Sequence, residues 1–412
     1  KDFNLQLNRR VDISHFSLNF RHIDAKMNLN SIYLGSLIET GELNRMHADN
    51  IVILDDTKLY PFITAKELGA ISASPVSQML SSKQNTFRSV FYDLSTQLEE
   101  LDKDEISLAF VGCFGGGIGD MLASMPALRL FTQVLKKRFK SVKIDIYSYI
   151  LVENIFTYVN EFFAHEECIN AIHPLPLSIG VLNTYDAFVD TTHFMQDVES
   201  SSLSMVDLSL RKLGLAYDKI SDSSKAYYMQ EYKKNYEILF EDKEIASLIR
   251  EYLREISGGK KIVLFHPNSS STDRKLPKEL ANTLVVFMLN DPDIFIISVA
   301  NFTHFSHERF LDITHLSKST KHFLSIVAHC NLCVSVDTSA FHIAQVAGVP
   351  SIVFFTTVEP MLRTKYYKDI YPISLRIKAN GEPKWEDFDL NEFIEAFTLI
   401  TRTPQAIISS NI

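Results

Sequence analysis

The stretch that decides the fold runs Leu332-Cys333-Val334-Ser335-Val336-Asp337-Thr338-Ser339-Ala340-Phe341-His342-Ile343-Ala344-Gln345-Val346-Ala347-Gly348-Val349-Pro350-Ser351-Ile352-Val353-Phe354-Phe355. An apolar run over 332–336 leads into Asp-Thr-Ser and then into a helical pattern over 340–347, with Gly348 placed as its C-cap. A second apolar run follows at 351–355. Strand, helix and strand, with strands apolar on both faces, predict a parallel sheet covered by helices. Thr338 and Ser339 stand at the helix start, where unbonded N–H groups and hydroxyls gather on a spot that suits a phosphate. Asp337 could accept from a ribose or sugar hydroxyl, and His342, one turn in, could reach the same ligand. The plainer alternative is that Asp337 and Thr338 only cap the helix and His342 is structural.

The same alternation extends outward. Strands are expected at 262–265 and 294–299, and helices at 278–289 and 321–329, which defines a domain over 246–375. An earlier series begins with a strand at 106–111, a glycine cluster at 112–119, a helix reaching 140 and a strand at 142–147. Strands at 171–174 and 187–190 follow, then a helix at 204–213 capped by Gly214, giving a domain over 104–245. The polar, aromatic stretch 222–244 reads as the crossing between the two. Two such series predict two Rossmann-like, doubly wound α/β domains facing a cleft. Residues 1–103 read as a β-rich or mixed accessory domain, with short strands at 31–34, 51–54 and 62–64 and helices near 75–80 and 89–98. The acidic run 99–105 ends it as a linker or helix end, and 376–412 reads as a tail with amphipathic helix over 385–401.

Composition sets the outer limits. The 412 residues suggest two to three domains and a large core. Lys plus Arg number 41 against 50 Asp plus Glu, a net charge of −9, which argues against a nucleic-acid partner. Four cysteines in such a length do not make a disulfide scaffold and fit a reducing, cytoplasmic setting. No run of about 18 apolar residues suggests a membrane-spanning helix. The sequence begins at Lys1, so residues or a targeting segment ahead of it stay open.

Two more stretches could carry chemistry. Gly115-Gly116-Gly117-Ile118-Gly119-Asp120 follows the first strand, and its glycines let the backbone approach a ligand closely. It fits neither G-x-G-x-x-G, whose last position falls on Asp120, nor a P-loop, which needs a following Lys-Ser or Lys-Thr. Asp120 is either a helix N-cap or a general base at the C-terminal edge of a sheet. After strand 262–265, His266-Pro267-Asn268-Ser269-Ser270-Ser271-Thr272-Asp273-Arg274-Lys275-Leu276-Pro277 offers amides and hydroxyls for a phosphate site, with Arg274 and Lys275 to neutralise a diphosphate. A polar surface loop with two solvated cations is the alternative.

Together these stretches resemble the heptosyltransferase-like glycosyltransferases of family nine. The first family motif, Gly-Asp and then a helix with a Pro-Ala-Leu step, matches Gly119-Asp120 and Pro126-Ala127-Leu128. The second, His-Pro-Gly and then Lys-Arg-Trp-Pro, matches His266-Pro267-Asn268 and Arg274-Lys275-Leu276-Pro277. The third, Val-Asp-Thr-Gly, a His and Gly-Val-Pro, matches Val336-Asp337-Thr338-Ser339, His342 and Gly348-Val349-Pro350. Phe355-Thr356-Thr357-Val358-Glu359-Pro360 with Arg363 resembles a fourth, Phe-Gly-Pro-Thr-Asp-Pro and its following Arg. Order and spacing match over about 106–375. The departures are Asn268 and Ser339 for glycines, Leu276 for Trp, and Arg274 where the family has a catalytic Lys.

The resemblance implies the two-domain GT-B fold and an inverting, metal-independent transfer. The sugar would be heptose-like, carried on an ADP-linked nucleotide donor, with no other cofactor, and would go to a hydroxyl of a glycan or protein acceptor. Asp120 would act as the base, with Gly116, Gly117 and Gly119 forming the acceptor loop. Arg274 and Lys275 would stabilise the leaving diphosphate, and His266, Asn268, Ser269, Asp337, Thr338, Ser339 and His342 would hold the donor. The setting implied is bacterial cytoplasm, with contact at the inner membrane face left open. Residues 1–103 resemble the added N-terminal domain of heptosyltransferases that modify autotransporters, and could bind acceptor or join copies of the chain. That type also carries a four-cysteine iron finger near its C-terminus, and no cysteine follows Cys333 here. Two alternatives stay open: a nucleotide-sugar epimerase or hydrolase of the same fold, and a non-catalytic scaffold subunit.

Three other features are expected to be structural. Cys330 and Cys333 form a C-x-x-C without a second pair, so both read as core residues. The histidines at 304, 307, 315, 322 and 329 do not make a fixed ligand spacing. Lys136, Lys137, Arg138, Lys140 and Lys143 read as cations at a helix C-terminus, or else as a patch for a phosphorylated acceptor or anionic membrane.

Overall fold

The computed structural model describes residues 101–115, 117–148, 155–174, 177–178, 181, 184–191, 201–302, 305–375 and 388–402, together with Ile53, Leu54, Leu94 and Leu98. It divides into two compact units, Lys1–Lys225 and Ala226–Ile412.

In the first unit the element order is β1 (Ile53–Leu54), β2 (Glu105–Val111), α1 (Ile118–Lys136), β3 (Ser141–Ser148), α2 (Ile155–Phe163), β4 (Ile169–Pro174), β5 (Leu177–Ser178), β6 (Ala187–Asp190) and α3 (Met205–Lys212). Strands in the order β4-β3-β2-β6 form one sheet, parallel throughout. Leu108, Ala109, Phe110 and Val111 are buried, as an apolar strand covered on both faces requires. Residues 121–132 of α1 are likewise all buried, because that stretch is apolar nearly all round. The helix ends at Lys136, short of the expected 140, because the chain turns there and buries Phe139. Among the described residues, two ion pairs are enclosed in this unit. Arg129 gives Nε and Nη2 to Glu166 Oε1 at 3.0 and 2.9 Å, and Lys225 Nζ lies 2.6 Å from Asp207 Oδ1.

The junction between the units falls inside 222–244, and that stretch is helical, carrying α4 (Asp222–Gln230) and α5 (Lys233–Leu239). The second unit continues with α6 (Lys243–Ser257), β7 (Lys261–His266), α7 (Lys278–Met288), β8 (Ile294–Ser298), β9 (Phe310–Asp312), α8 (Thr320–Ala328), β10 (Leu332–Val336), α9 (Ser339–Val346), β11 (Ser351–Phe355), α10 (Met361–Thr364), β12 (Ile370–Ser374) and α11 (Leu390–Arg402). Among the described residues its sheet has six strands in the order β12-β11-β10-β7-β8-β9, all parallel. β8, β10 and β11 are buried along their whole length. α6 turns Ile249, Leu253 and Ser257 inward at a spacing of four and ends at Gly258 in the left-handed region (φ 58°). Phe393 and Phe397 of α11 join the core with Val334, Ile352 and Phe354.

Both sheets reverse strand order at one place. In the first, β2 is followed outward by β3 and β4 on one side and β6 on the other; in the second, β7 and β10 adjoin and the chain runs outward from each. Open α/β sheets bind ligands beyond the carboxyl ends of the strands at such a switch point. The glycine loop follows β2, and the other two candidate loops follow β7 and β10.

Of the N-terminal expectations, the strand at 51–54 is present as Ile53–Leu54, paired in parallel with Leu177–Ser178. Leu94 and Leu98 are helical and buried, in line with a helix over 89–98. The strands expected at 31–34 and 62–64 and the helix at 75–80 lie outside the described residues. Among the described residues no helix is long and apolar enough to cross a membrane.

Candidate functional site

The glycine loop after β2 is built around one carboxylate. Gly112 N donates to Tyr147 O at 2.8 Å, which carries the chain off the end of the sheet. Phe114 takes the left-handed conformation (φ 62°), its N–H bonded to Thr191 Oγ1 at 3.2 Å at the end of β6. Gly115 follows at φ 143°, and Gly117 is extended at the N-cap of α1. The helix therefore begins at Ile118, and Asp120 sits within its first turn instead of at the N-cap. The N-cap is thus Gly117 and not Asp120, which as the acidic residue of the first turn still favours the helix start. The half-buried carboxylate faces the loop: a Cβ on Gly117 would stand 3.7 Å from Asp120 Oδ2, and one on Gly115 would collide with the side chain. Gly119 lies in the same helical turn, while Gly116 is outside the described residues. Behind the loop the Cys113 thiol donates to Gly115 O at 3.0 Å and is pushed up to about 12, first by burial and lastly by the charge of Asp120.

In the second unit, two loops far apart in sequence meet at the switch point. Arg274 Nη1 donates to Asp337 O at 2.9 Å and lies 3.4 Å from Asp337 Oδ2. Asp337 is almost fully buried and the guanidinium about one quarter exposed, so the cation rims a partly dry site. Arg274 Nη2 reaches Ser270 Oγ at 3.5 Å, and Thr356 Oγ1 donates to Asp273 O at 2.9 Å, which ties the turn at 272–274 to the end of β11. Leu276 is buried and Lys275 exposed, so of the two expected cations only Arg274 is drawn to Asp337. Asn268 Nδ2 donates to Ala300 O at 2.8 Å, and Ser269 Oγ accepts from Ser271 N at 3.4 Å.

Thr338 is the N-cap of α9, but its side chain makes no capping bond among the described residues. Asp337 likewise spends its carboxylate on Arg274. The first N–H groups of α9 are thus not used by the side chains that the capping alternative required. His342, buried in the first turn, has Nδ1 2.5 Å from the Tyr367 hydroxyl. Burial foremost, then Arg363 and Arg274, push this imidazole down to about 3, so it is neutral at physiological pH. His266, at the end of β7, is pushed down to about 4 by burial, and its Nδ1 has no partner among the described residues. Arg363 Nη1 is also buried without a hydrogen bond among those residues. Tyr367 was not singled out from the sequence, since nothing in the spacing links a tyrosine to a histidine 25 positions earlier.

All four cysteines are unbridged and buried, and burial raises the Cys330 and Cys333 thiols, the latter to about 12. Lys136 pairs with Glu167 at 3.2 Å and Lys140 with Asp104 at 2.6 Å. No three His, Cys, Asp or Glu residues come together as a metal site among the described residues.

No protein-family model matches the chain, and no curated protein does. Solved structures do. The ADP-heptose lipopolysaccharide heptosyltransferase II of E. coli is 10% identical over 72% of this chain and 98% of that one, at a TM-score of 0.49. A glycosyltransferase of family 9 from Veillonella parvula is 12% identical over 72% and 92%, at 0.47. The iron-containing dodecameric glycosyltransferase TibC of enterotoxigenic E. coli is 10% identical over 70% and 68%, at 0.43. In these terms the chain is similar to heptosyltransferases and to a family 9 glycosyltransferase, the family that its motifs resemble.

Proposed function

We propose that this protein transfers a sugar, with inversion, from a nucleotide-sugar donor to an acceptor hydroxyl. The observation that carries the reading is the Arg274–Asp337 contact at the switch point of the second sheet, beside the α9 start whose N–H groups Thr338 leaves uncapped. A cation and a helix N-terminus set side by side there suit the diphosphate of a donor. As the bond between the anomeric carbon and the phosphate oxygen breaks, that oxygen gains negative charge, which Arg274 and the helix start stabilise. Lys275, exposed on the same turn, adds positive field. His266, Asn268, Ser269, Ser339 and His342 line the same loops and are the proposed donor contacts.

In the first unit Asp120 is the proposed base. It takes the proton of the acceptor hydroxyl while that oxygen attacks the anomeric carbon from the face opposite the leaving diphosphate. Gly116, Gly117 and Gly119 leave room for the acceptor. The motif resemblance supports an ADP-linked, heptose-like donor and a glycan or protein acceptor, in a cytoplasmic enzyme. On the same basis 1–103, 104–245, 246–375 and 376–412 are the proposed divisions of the chain, the first serving acceptor binding or association between copies.

The test is thermal unfolding with ADP-, GDP-, UDP-, CMP- and TDP-linked ligands. A ligand at a hundredfold excess over its dissociation constant stabilises by about 2.7 kcal/mol. A rise with an ADP-linked ligand, lost in Arg274→Ala, is expected. No rise with any of the five overturns the reading.

A further inference from the structure

The site as the sequence outlines it holds His342 but leaves unexplained what orients it. His342 Nδ1 and the Tyr367 hydroxyl stand 2.5 Å apart. Both rings are held in place. Tyr367 meets His342 edge-on at 5.7 Å and Phe341 at 6.0 Å, and Phe341 lies 3.9 Å from the His342 ring. Tyr367 N donates to Thr364 O at 2.8 Å, so the phenol's place follows from the turn after α10. Arg363, on that same segment, keeps Nη1 buried with no hydrogen bond among the described residues.

A neutral imidazole facing a phenol has two arrangements. Nδ1–H can donate to the phenolic oxygen, which leaves Nε2 a lone pair. Alternatively the hydroxyl donates to Nδ1 and Nε2 carries the proton. The phenol hydroxyl is the stronger donor and the bare imidazole nitrogen the stronger acceptor, which favours the second arrangement whether or not an anion is bound. The charged groups around the ring keep it neutral. Arg363 and Arg274 both act on His342 and disfavour a third positive charge, while Asp337 is already engaged by Arg274. An anion drawn in by these arginines would be repelled by a lone pair on Nε2 and would be met by a proton there.

We propose that Tyr367 is a positioning residue: its hydroxyl donates to His342 Nδ1 and holds the ring proton on Nε2, so that the ring and Nη1 of Arg363, which has no partner among the described residues, donate together to the diphosphate of a nucleotide. This rests on the donor-site reading above for the identity of the anion, and not for the tautomer.

Two measurements on the full chain separate those parts. The first is long-range 15N–1H correlation on 15N-histidine protein, with His342 assigned through His342→Gln. The wild type shows the Nε2–H pattern at pH 7, and Tyr367→Phe, which keeps the ring contacts, converts it to mixed tautomers while thermal unfolding shows the variant folded. An Nδ1–H pattern in the wild type, or no change in the variant, overturns the role of Tyr367. The second is calorimetric titration with inorganic pyrophosphate and with ADP. Arg363→Gln weakens both by about 10- to 100-fold, the loss expected of a hydrogen bond to a charged group. Wild-type affinity in that variant overturns the part given to Arg363. Failure of the wild type to bind either probe overturns the donor reading and the ligand named here, while the tautomer result stands or falls by itself.

Discussion

Gly115 and Asp120 claim the same space. A Cβ built on Gly115 would lie 2.3 Å from Asp120 Cβ and 2.8 Å from its Cγ and Oδ2. The backbone at 115 also holds φ at 143°, outside the range an L-residue adopts with ease. The glycine is therefore what allows the loop to fold over the carboxylate, and the two positions can be tested as one device.

Gly115→Ala should move Asp120 out of place and strain the loop by about 1–3 kcal/mol. Transfer should fall at least as far as in Asp120→Asn, with nucleotide affinity kept within about twofold in both. A fully active Gly115→Ala protein would show that neither the loop path nor Asp120 matters to the reaction.

The parts of the fold that the sequence made plain are those whose strands are apolar on both faces. β10, α9 and β11 stand where the runs at 332–336, 340–347 and 351–355 place them, to within one residue. β9 is only three residues long, and β12 contains Pro372, which an edge strand tolerates and a sequence reading takes as a break. In 222–244 the tyrosines hid the helices: Tyr228 and Tyr232 pack ring to ring at 5.1 Å and Tyr236 and Phe240 at 4.6 Å, a local cluster with no long apolar period. The site shows the same division. Asp337, Thr338 and His342 were visible because they follow one strand, whereas the pairing of Arg274 with the Asp337 carbonyl depends on β7 and β10 being neighbours.

Arg274→Ala should weaken nucleotide diphosphate binding by about 10- to 100-fold, because it removes a cation and the tie to Asp337 together. Ser270→Ala, which removes only the 3.5 Å contact, should leave affinity and stability within error of the wild type. Calorimetric titration with ADP reads both, and equal losses in the two variants would refute the assignment of Arg274.

The enclosed pairs of the first unit should behave as buried charges. Glu166→Gln removes the carboxylate to which Arg129 donates, and Lys225→Met removes the ammonium beside Asp207, which also accepts from the Ser204 hydroxyl at 2.8 Å. Each is expected to cost about 3–5 kcal/mol in urea unfolding, the penalty for breaking a buried pair. A loss below about 1 kcal/mol would mean that water reaches these sites.

Acid should destabilise the protein before its carboxylates titrate. His266 and His342 are ordinarily half-protonated near pH 6.5, and in the folded chain they are pushed down to about 4 and about 3. His329 is lowered as well, chiefly by burial. Between pH 6.5 and 4 the unfolded chain therefore binds protons that the native chain refuses, so unfolding becomes easier as pH falls. The stabilisation is complete above about pH 6.5 and is lost on the way down, with His342 the last to protonate. Asp145 and Asp186, whose pKa values are lowered, lose their contribution only below the ordinary carboxylate pKa near 4. In the window from 6.5 to 4 the lowered histidines thus pull stability down as pH falls, against Glu392, whose raised carboxyl binds its proton more readily in the folded chain. Urea midpoints at pH 7 and pH 4.5 should differ clearly in the wild type and by less in His342→Gln. A wild-type midpoint that does not change over this range would show that the two imidazoles are protonated in the native state, and the neutral ring on which the anion site depends would be lost with them.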